Sequence, residues 1–396
     1  MGCGDGKVEA TSHGWKKPFH AIRDSVTGTE ERPDPDMCTA DLDRAYLDAR
    51  TALLQGVSDQ SPYIRAHAIE AIGNVLGGQY SSSLIQGLSD KATLVRFASA
   101  MACGKNAVAG AKGRLLQLVQ SRDADDRVVS ASIYALSRIG NTRYAPMLGT
   151  LVVGEFAPGR AEASHAMGLM GHPTARKLLG SLLREENDPA VRLSMTEALA
   201  RLGDQRAMRV LESYAHVFFL DLRLAAIPTM ARLKTPNTLS IASRLTRQGN
   251  PPRVRIASAG AIGLLGNPDA ITEDMYNMCV MALVKPLEFF RACYEDQTLQ
   301  PKKHELASLQ QLAARSLGWF KQKRALDVLM PHLQDNNHAV AVMAAEAALG
   351  ILGPRELRLP TLKTLATPPT VVAPVTLKTP SGVKLHTAGA KDTGWE

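Results

Sequence analysis

Apolar and small residues recur along this chain in columns, at intervals of about 32 residues. When Val191 is taken as column zero, corresponding positions lie 31 to 33 residues apart, except for one step of 55 residues between Val254 and Leu309. Equal intervals of this size indicate a repeat whose unit is one supersecondary module. Column zero consists of Ile64, Val95, Val128, Gly159, Val191, Leu222, Val254, Leu309 and Ala341.

Two later columns are even more uniform. Column seven is always small: Ala71, Ala102, Ala135, Ala166, Ala198, Thr229, Ala261, Ser316 and Ala348. Column eight is always apolar: Ile72, Cys103, Leu136, Met167, Leu199, Met230, Ile262, Leu317 and Leu349. Apolar positions spaced in this way form one stripe on an α-helix, and the small column predicts close approach of a neighbouring helix.

The ends of these helices and a second helix in each unit are also predicted. Glycine closes five units and suits a left-handed C-terminal cap; these are Gly140, Gly171, Gly203, Gly266 and Gly353. Aspartates that can cap the helix N-terminus precede it; these are Asp59, Asp90, Asp125 and Asp188. Amphipathic segments such as 175–183 and 207–215 lie between the repeated helices. Each unit is therefore predicted to be a helical hairpin.

The pattern resembles the HEAT-repeat family, particularly the short bacterial units also found in phycobilisome lyase-type proteins. The clearest match is the string Asp-x-x-Val-Arg-x-x-x-x-x-Ala-Leu-x-x-Leu-Gly at Asp188–Gly203. The resemblance implies an all-α fold, a right-handed α-solenoid of about nine HEAT-type hairpins. For an open stack at about 9–10 Å per unit, the expected length is about 80 to 90 Å.

The repeats set the predicted domain organisation. Residues 1–38 lack helical periodicity and are predicted to form an N-terminal arm or tether. Residues 39–366 are predicted to form the solenoid, and residues 367–396 are predicted to be a disordered Pro- and Thr-rich tail. The long step in repeat eight corresponds to an insertion at about residues 283–304, which carries Phe289, Phe290 and Tyr294. Two hypotheses remain open for it: an interface anchor, or an outer helix that buries its own rings.

An arginine follows column zero in six repeats: Arg65, Arg96, Arg160, Arg192, Arg223 and Arg255. Six arginines in register are compatible with a ladder of cations for phosphates. The favoured interpretation, which the resemblance implies, is that each stacks along the repeat and bonds a loop aspartate or carbonyl of the adjacent unit, because aspartates occupy those same loops.

Composition changes this picture little. The net charge is +8, but the basic residues are not strongly clustered, so a nucleic-acid partner is not favoured. Aromatic residues make up 5%, which fits a repeat core of small aliphatic residues. Five cysteines show no metal-ligand spacing, and a lone His304–Glu305 pair cannot form a di-iron site.

The first residues leave two hypotheses for localisation. Gly2-Cys3-Gly4 resembles the end of a bacterial lipoprotein signal, so Cys3 is a candidate lipid-anchored residue in the cell envelope if the start codon is misplaced. The alternative is an ordinary cytoplasmic N-terminus, since no apolar segment precedes Cys3. No stretch is apolar enough to span a bilayer.

The predicted function is a non-enzymatic scaffold that binds a partner protein along the concave face. Column six is expected to face that surface, so the candidate partner-binding residues are Glu70, Met101, Tyr134, His165, Glu197, Phe289, Phe290 and Tyr294. No phosphate loop, nucleophile elbow or metal cluster is present, so no catalytic residue, cofactor or metal is expected. The alternatives are a phycobilisome lyase-like enzyme and a nucleic-acid-binding HEAT-like protein.

Overall fold

Every regular element in the described part of the chain is a helix. The computed structural model describes residues 39–121, 125–294, 296 and 298–354. The predicted arm at 1–38, with Cys3, and the predicted tail at 367–396 lie outside the described residues, as does the predicted end of the solenoid beyond residue 354. Within the described ranges, no helix is both long enough and apolar enough to cross a membrane.

Nine inner helices carry the repeat columns, and each packs against the next. They are α2 (Pro62–Val75), α4 (Thr93–Lys105), α6 (Asp126–Arg138), α8 (Ala157–Met170), α10 (Pro189–Arg201), α12 (Leu220–Leu233), α14 (Pro252–Leu264), α17 (Lys303–Phe320) and α19 (His338–Leu352). The all-α solenoid of nine hairpins is therefore confirmed over the described residues.

The other ten α-helices of the described chain lie between successive inner helices, on the convex side. They are α1 (Thr39–Gly56), α3 (Ser81–Gly87), α5 (Lys112–Gln120), α7 (Met147–Leu151), α9 (Pro173–Glu185), α11 (Gln205–Ser213), α13 (Thr238–Leu245), α15 (Glu273–Val284), α16 (Pro286–Tyr294) and α18 (Leu326–Leu329). Helix α16 belongs to the insertion in repeat eight.

The stack closes into a ring. The last inner helix, α19, packs against the first, α2, and also against α1. Helix α1 therefore lies between the inner helices of repeats nine and one. The other outer helices lie between the two inner helices that they connect in the same way. At the junction, the Asn74 amide donates to Glu346 at 2.7 Å, and His338 Nδ1 lies 2.6 Å from Asp59 Oδ2.

Closure corrects the expected open stack about 80 to 90 Å long. The repeat pattern defines each step between neighbours correctly. The small rotation per repeat, however, sums to a full turn after nine repeats, and that sum is not visible in any one repeat. The concave surface is therefore the wall of an enclosed lumen.

Close approach between inner helices depends on two small columns that face each other. Gly168 of α8 lies against Ala198 of α10, and a Cβ added at Gly168 would lie 2.7 Å from the Cα of Ala198. Gly73 meets Ala102, one repeat on, in the same way. The small column seven predicted from the sequence is thus confirmed as a contact surface, and its counterpart is a glycine-rich column two residues later.

The arginines that follow column zero bond within the ring itself. Arg65 binds Asp90 of the next repeat through two hydrogen bonds of 2.8 Å each, and Arg160 binds Glu186 at 2.8 and 3.0 Å. The remaining four donate to carbonyl oxygens of the adjacent loops. The interpretation of internal bonding is confirmed, because these guanidinium groups are directed at protein acceptors and not at a phosphate track.

The helix ends agree in part with the predicted caps. Asp188 accepts hydrogen bonds from the amides of Ala190 and Val191 and caps α10. Asp125 caps α6. Asp59 and Asp90 do not occupy the capping positions of α2 and α4, which are Ser61 and Ala92. Each aspartate instead accepts a hydrogen bond from the backbone amide of that capping residue.

The insertion buries part of its own aromatic surface. Phe289 is fully buried and lies under the guanidinium of Arg255, 5.7 Å from the ring centre. This fits the second hypothesis, an outer helix that covers the solenoid. Phe289 cannot contact a partner while the ring is folded, whereas Tyr294 is 48% exposed and packs against Phe290. Any contact role predicted for the insertion rests on those two residues.

Candidate functional site

The lumen is narrow and has two distinct ends. Nine helices about 9–10 Å apart, each about 10–12 Å wide with its side chains, enclose a space of roughly 15 Å across. Bonds between neighbouring repeats join N-terminal loop to N-terminal loop, as in Arg65–Asp90, and C-terminal end to C-terminal end, as in Lys105–Asn74. The inner helices therefore run parallel, and the ring has an N-terminal rim and a C-terminal rim.

An apolar chamber of about 620 Å³ occupies the lumen beside repeats one to four. Its apolar walls are Tyr63, Leu94, Phe97, Met101, Tyr134 and Leu169. Tyr63 and Leu94 begin their helices and lie near the N-terminal rim, whereas Leu169 lies close to the other end of α8. Polar atoms enter this chamber from His67, Glu70, Glu162 and His165.

A smaller chamber of about 280 Å³ is lined by cations from opposite walls of the ring. They are Lys105 of repeat two, Arg232 of repeat six, Arg315 of repeat eight and Lys321, which directly follows α17. Glu70 and Glu346 are its acidic residues. Glu70, Asn74 and Lys105 line both chambers, so the cationic chamber and the apolar chamber are continuous.

Column six faces the lumen in the first four repeats, as predicted. Glu70, Met101, Tyr134 and His165 all line the apolar chamber. Their role in binding a partner stays a prediction.

Glu197 forms a bridge between two of its neighbours. Its Oε1 accepts a hydrogen bond of 2.8 Å from Arg201 and lies 3.6 Å from His165 Nδ1. Burial is the largest influence on His165 and lowers the pKa of its imidazole, although the Glu197 carboxylate acts in the opposite direction. His165 is therefore neutral near pH 7, and Glu197 has Arg201 as its charged partner.

Glu162 is the most perturbed acid in the lumen wall. Its Oε1 is shielded from solvent and has no hydrogen-bond partner among the described residues. Burial, reinforced by the Glu197 carboxylate, raises the pKa of Glu162 to about 8, while Arg127 acts in the opposite direction. Glu162 is therefore largely protonated at pH 7 and adds little negative charge to the wall of the apolar chamber there.

Replacement of Glu162 by glutamine should remove a pH dependence of stability. The folded state holds the Glu162 proton until about pH 8, whereas the unfolded chain releases it near pH 4.5. The contribution of this group to the free energy of unfolding is therefore complete below pH 4.5 and is lost as pH rises towards 8. At pH 8 we expect Glu162→Gln to be more stable than wild type by on the order of 1 kcal/mol or more.

Urea unfolding at pH 5 and pH 8 measures this difference. Glu185→Gln, on the exposed side of α9, is the matched control and should follow wild type at both pH values. If Glu162→Gln also follows wild type at both pH values, Glu162 is ionised in the folded ring.

Sequence reasoning missed the cationic chamber. Lys105 and Arg232 occupy column ten, which also contains Asn74, Arg201 and Trp319. A basic bias in that column was the available signal, but cations near helix C-termini are also expected from the helix dipole alone. Only closure of the ring brings Lys105 and Arg232 to the same chamber. No group of three or more His, Cys, Asp or Glu side chains in the described chain is arranged to hold a metal ion.

The fold and lumen define a class: a helical-repeat protein closed into a ring. Residues 151–217 match the family model described as HEAT repeats. Residues 151–217 therefore contain HEAT repeats, and the same columns and hairpins continue through the described chain from Ile64 to Gly353. No curated protein matches the sequence.

Two solved structures are similar in part. The complex of CpcE and CpcF of phycocyanin lyase from Nostoc sp. PCC7120 shares 16% identity and a TM-score of 0.38, over 67% of this chain and 98% of that chain. Human deoxyhypusine hydroxylase in complex with glycerol shares 16% identity and a TM-score of 0.33, over 78% of this chain and 97% of that chain. Similarity at this level supports no inference about activity.

Proposed function

We propose that this protein is a non-enzymatic scaffold whose N-terminal rim binds an apolar surface of a partner protein. The observation that carries the proposal is the exposure of large apolar side chains on this rim. Phe218 is 95% exposed and its neighbour Phe219 is 61% exposed, with their rings 5.9 Å apart. Two adjacent exposed phenylalanines cost solubility and are typical of binding surfaces.

Other repeats contribute to the same rim. Val153 and Phe156, in the loop that precedes α8, are 57% and 46% exposed. Tyr63 and Leu94, at the starts of α2 and α4, are also exposed and border the apolar chamber. Because all inner helices run parallel, these side chains lie on one rim of the ring, where a single partner can contact several of them.

The width of the lumen determines which surface of the ring can bind a folded partner. The sequence predicted binding along the concave face. A closed lumen of roughly 15 Å excludes a folded domain. A globular partner must therefore bind a rim, and of the column-six residues only those near the rim are within its reach.

The local chemistry is consistent with binding rather than catalysis. His165 is neutral, and the Glu197 carboxylate 3.6 Å from its Nδ1 also accepts a hydrogen bond from Arg201. Glu162 carries its proton in an apolar wall. An acid–base pair needs two groups whose protonation states differ in a way that serves a reaction, and we assign none here.

Substitution of the two rim phenylalanines should weaken partner binding. A Phe218→Ser, Phe219→Ser double variant removes the largest apolar anchors of the rim without opening the core. We expect the affinity for the partner to fall by at least about tenfold, because buried aromatic anchors dominate most interfaces. Quantitative crosslinking and mass spectrometry in cells of the source organism, followed by binding measurements with the purified partner, provide the test.

Val210→Ser with Leu239→Ser is the matched control. These two residues are 41% and 42% exposed but lie on the outer helices α11 and α13. Retention of the partner by this control and its loss from the phenylalanine variant supports the rim. Equal loss from both variants, or full retention by both, contradicts it.

A further inference from the structure

We propose that the lumen binds an amphipathic acid: a small molecule with an apolar body in the apolar chamber and a carboxylate or phosphate in the cationic chamber. This site is separate from the rim phenylalanines and needs no partner protein. It rests on three features of the lumen wall: the continuity of the two chambers, the number and pairing of the cations, and the neutrality of the apolar wall.

The chambers meet at a short boundary. Lys105, Asn74 and Glu70 line both, so a molecule whose body fills one chamber can place its head group in the other without crossing a wall. The apolar chamber, at about 620 Å³, has room for an alkyl chain of about a dozen carbons, and such sites are usually apolar with a few convergent polar groups.

The cations outnumber the acids in the smaller chamber. Lys105, Arg232, Arg315 and Lys321 face Glu70 and Glu346, so two positive charges remain uncompensated. Arg315 lies 3.8 Å from Glu346. Lys105 donates to the Asn74 side chain and Lys321 to the Gly350 carbonyl, both of which are neutral acceptors. A carboxylate or phosphate supplies the missing charge.

Arg232 is the residue best placed to receive an anion. Its guanidinium lies over the ring of Trp319, 5.9 Å from the ring centre, and makes no hydrogen bond to any described residue. Stacking leaves the in-plane N–H donors of an arginine free, and their fork matches a carboxylate or phosphate. Desolvation, followed by the nearby Arg315, lowers the pKa of Arg232, whereas the Glu197 and Glu70 carboxylates act in the opposite direction.

The wall of the apolar chamber does not oppose such a ligand. Glu162 carries its proton near neutral pH and adds no negative charge beside the apolar body. His67 and His165 are likewise kept neutral, because burial lowers the pKa of both imidazoles. Away from Glu70 and Lys105, which stand at the boundary with the cationic chamber, the wall of the apolar chamber therefore carries no ionised side chain.

Isothermal titration with three ligands of equal chain length tests the proposal on the full-length protein: dodecanoate, dodecanol and dodecylamine. We expect dodecanoate to bind at one saturable site, and both other ligands to bind at least about tenfold more weakly, since a charge-assisted hydrogen bond to arginine accounts for that difference. Equal affinity for dodecanol, or no saturable binding of dodecanoate, would overturn the proposal. So would acetate binding as tightly as dodecanoate, because the apolar chamber would then contribute nothing.

Two variants locate the bound molecule. Arg232→Met should weaken dodecanoate at least about tenfold, whereas Arg209→Met, on the exposed face of outer helix α11, should leave binding unchanged. Met101→Trp fills the apolar chamber and should block dodecanoate in a ring whose circular dichroism and melting curve match wild type. If Arg232→Met binds like Arg209→Met, or if Met101→Trp binds like wild type, the ligand is not in the lumen.

Discussion

Cysteines introduced at Asn74 and Glu346 should be joined within one chain by a short bismaleimide, closing a covalent loop of 272 residues. The two side chains are in hydrogen-bond contact across the junction of repeats nine and one, at 2.7 Å. A crosslink there restricts the unfolded chain and should raise the free energy of unfolding by about 5 kcal/mol on the chain-entropy account. Gel migration and urea unfolding measure the two effects.

The cysteine background is favourable for this experiment. Cys103, Cys279 and Cys293 are buried, so only Cys3 and Cys38 need replacement by serine beforehand. The control pairs a cysteine at Asn74 with one at Arg209, which lies on the outer face of repeat five. An open superhelix would give no intramolecular product with either pair, whereas a ring gives it with the first pair only.

Addition of one methyl group at Gly168 should destabilise the ring. A Cβ at this position would lie 2.7 Å from the Cα of Ala198 and 2.8 Å from its Cβ, so the backbones of α8 and α10 must separate. Alanine ordinarily stabilises a helix relative to glycine. Here we expect Gly168→Ala to lower the free energy of unfolding by about 2 kcal/mol, because overpacking against backbone outweighs the gain in propensity.

Gly180 provides a control with the opposite sign. It lies within outer helix α9, and a Cβ there would meet nothing within 4 Å. Gly180→Ala should therefore stabilise the protein by about 0.5 to 1 kcal/mol, the usual helix preference for alanine over glycine. Urea unfolding of the two variants under the same conditions measures both changes. A gain in stability for Gly168→Ala would show that the inner helices are less closely packed than described.

The repeat pattern predicted the hairpins well, because the residues that determine each hairpin lie within one repeat or the next. Val191, Ala198 and Leu199 lie on one face of α10, as their spacing requires, and Asp188 caps that helix. The arginine that follows column zero bonds to neighbouring loops, as the adjacent acids suggested. Every one of these features depends on residues within one repeat or the next, and sequence contains that information directly.

Closure and the candidate site depend on longer distances. Asn74 and Glu346 are 272 residues apart, and their contact follows from nine small rotations that no single repeat reveals. The same holds for Lys105 and Arg232, which line one chamber from opposite walls. Column six could be placed on the concave side from the sequence, because the period of an α-helix determines which of its side chains share a face. The width of the lumen and its division into an apolar and a cationic chamber could not be predicted from the sequence.

Helix α1 has a consequence for how this molecule evolves. An open array of hairpins grows or shrinks by whole units and needs polar terminal units to shield its ends. In this molecule α1 packs against α19, and α19 packs against α2, so within the described residues the first and the last inner helix cover each other. A tenth hairpin would need a smaller rotation between every pair of neighbours, so closure ties the number of repeats to the angle between them.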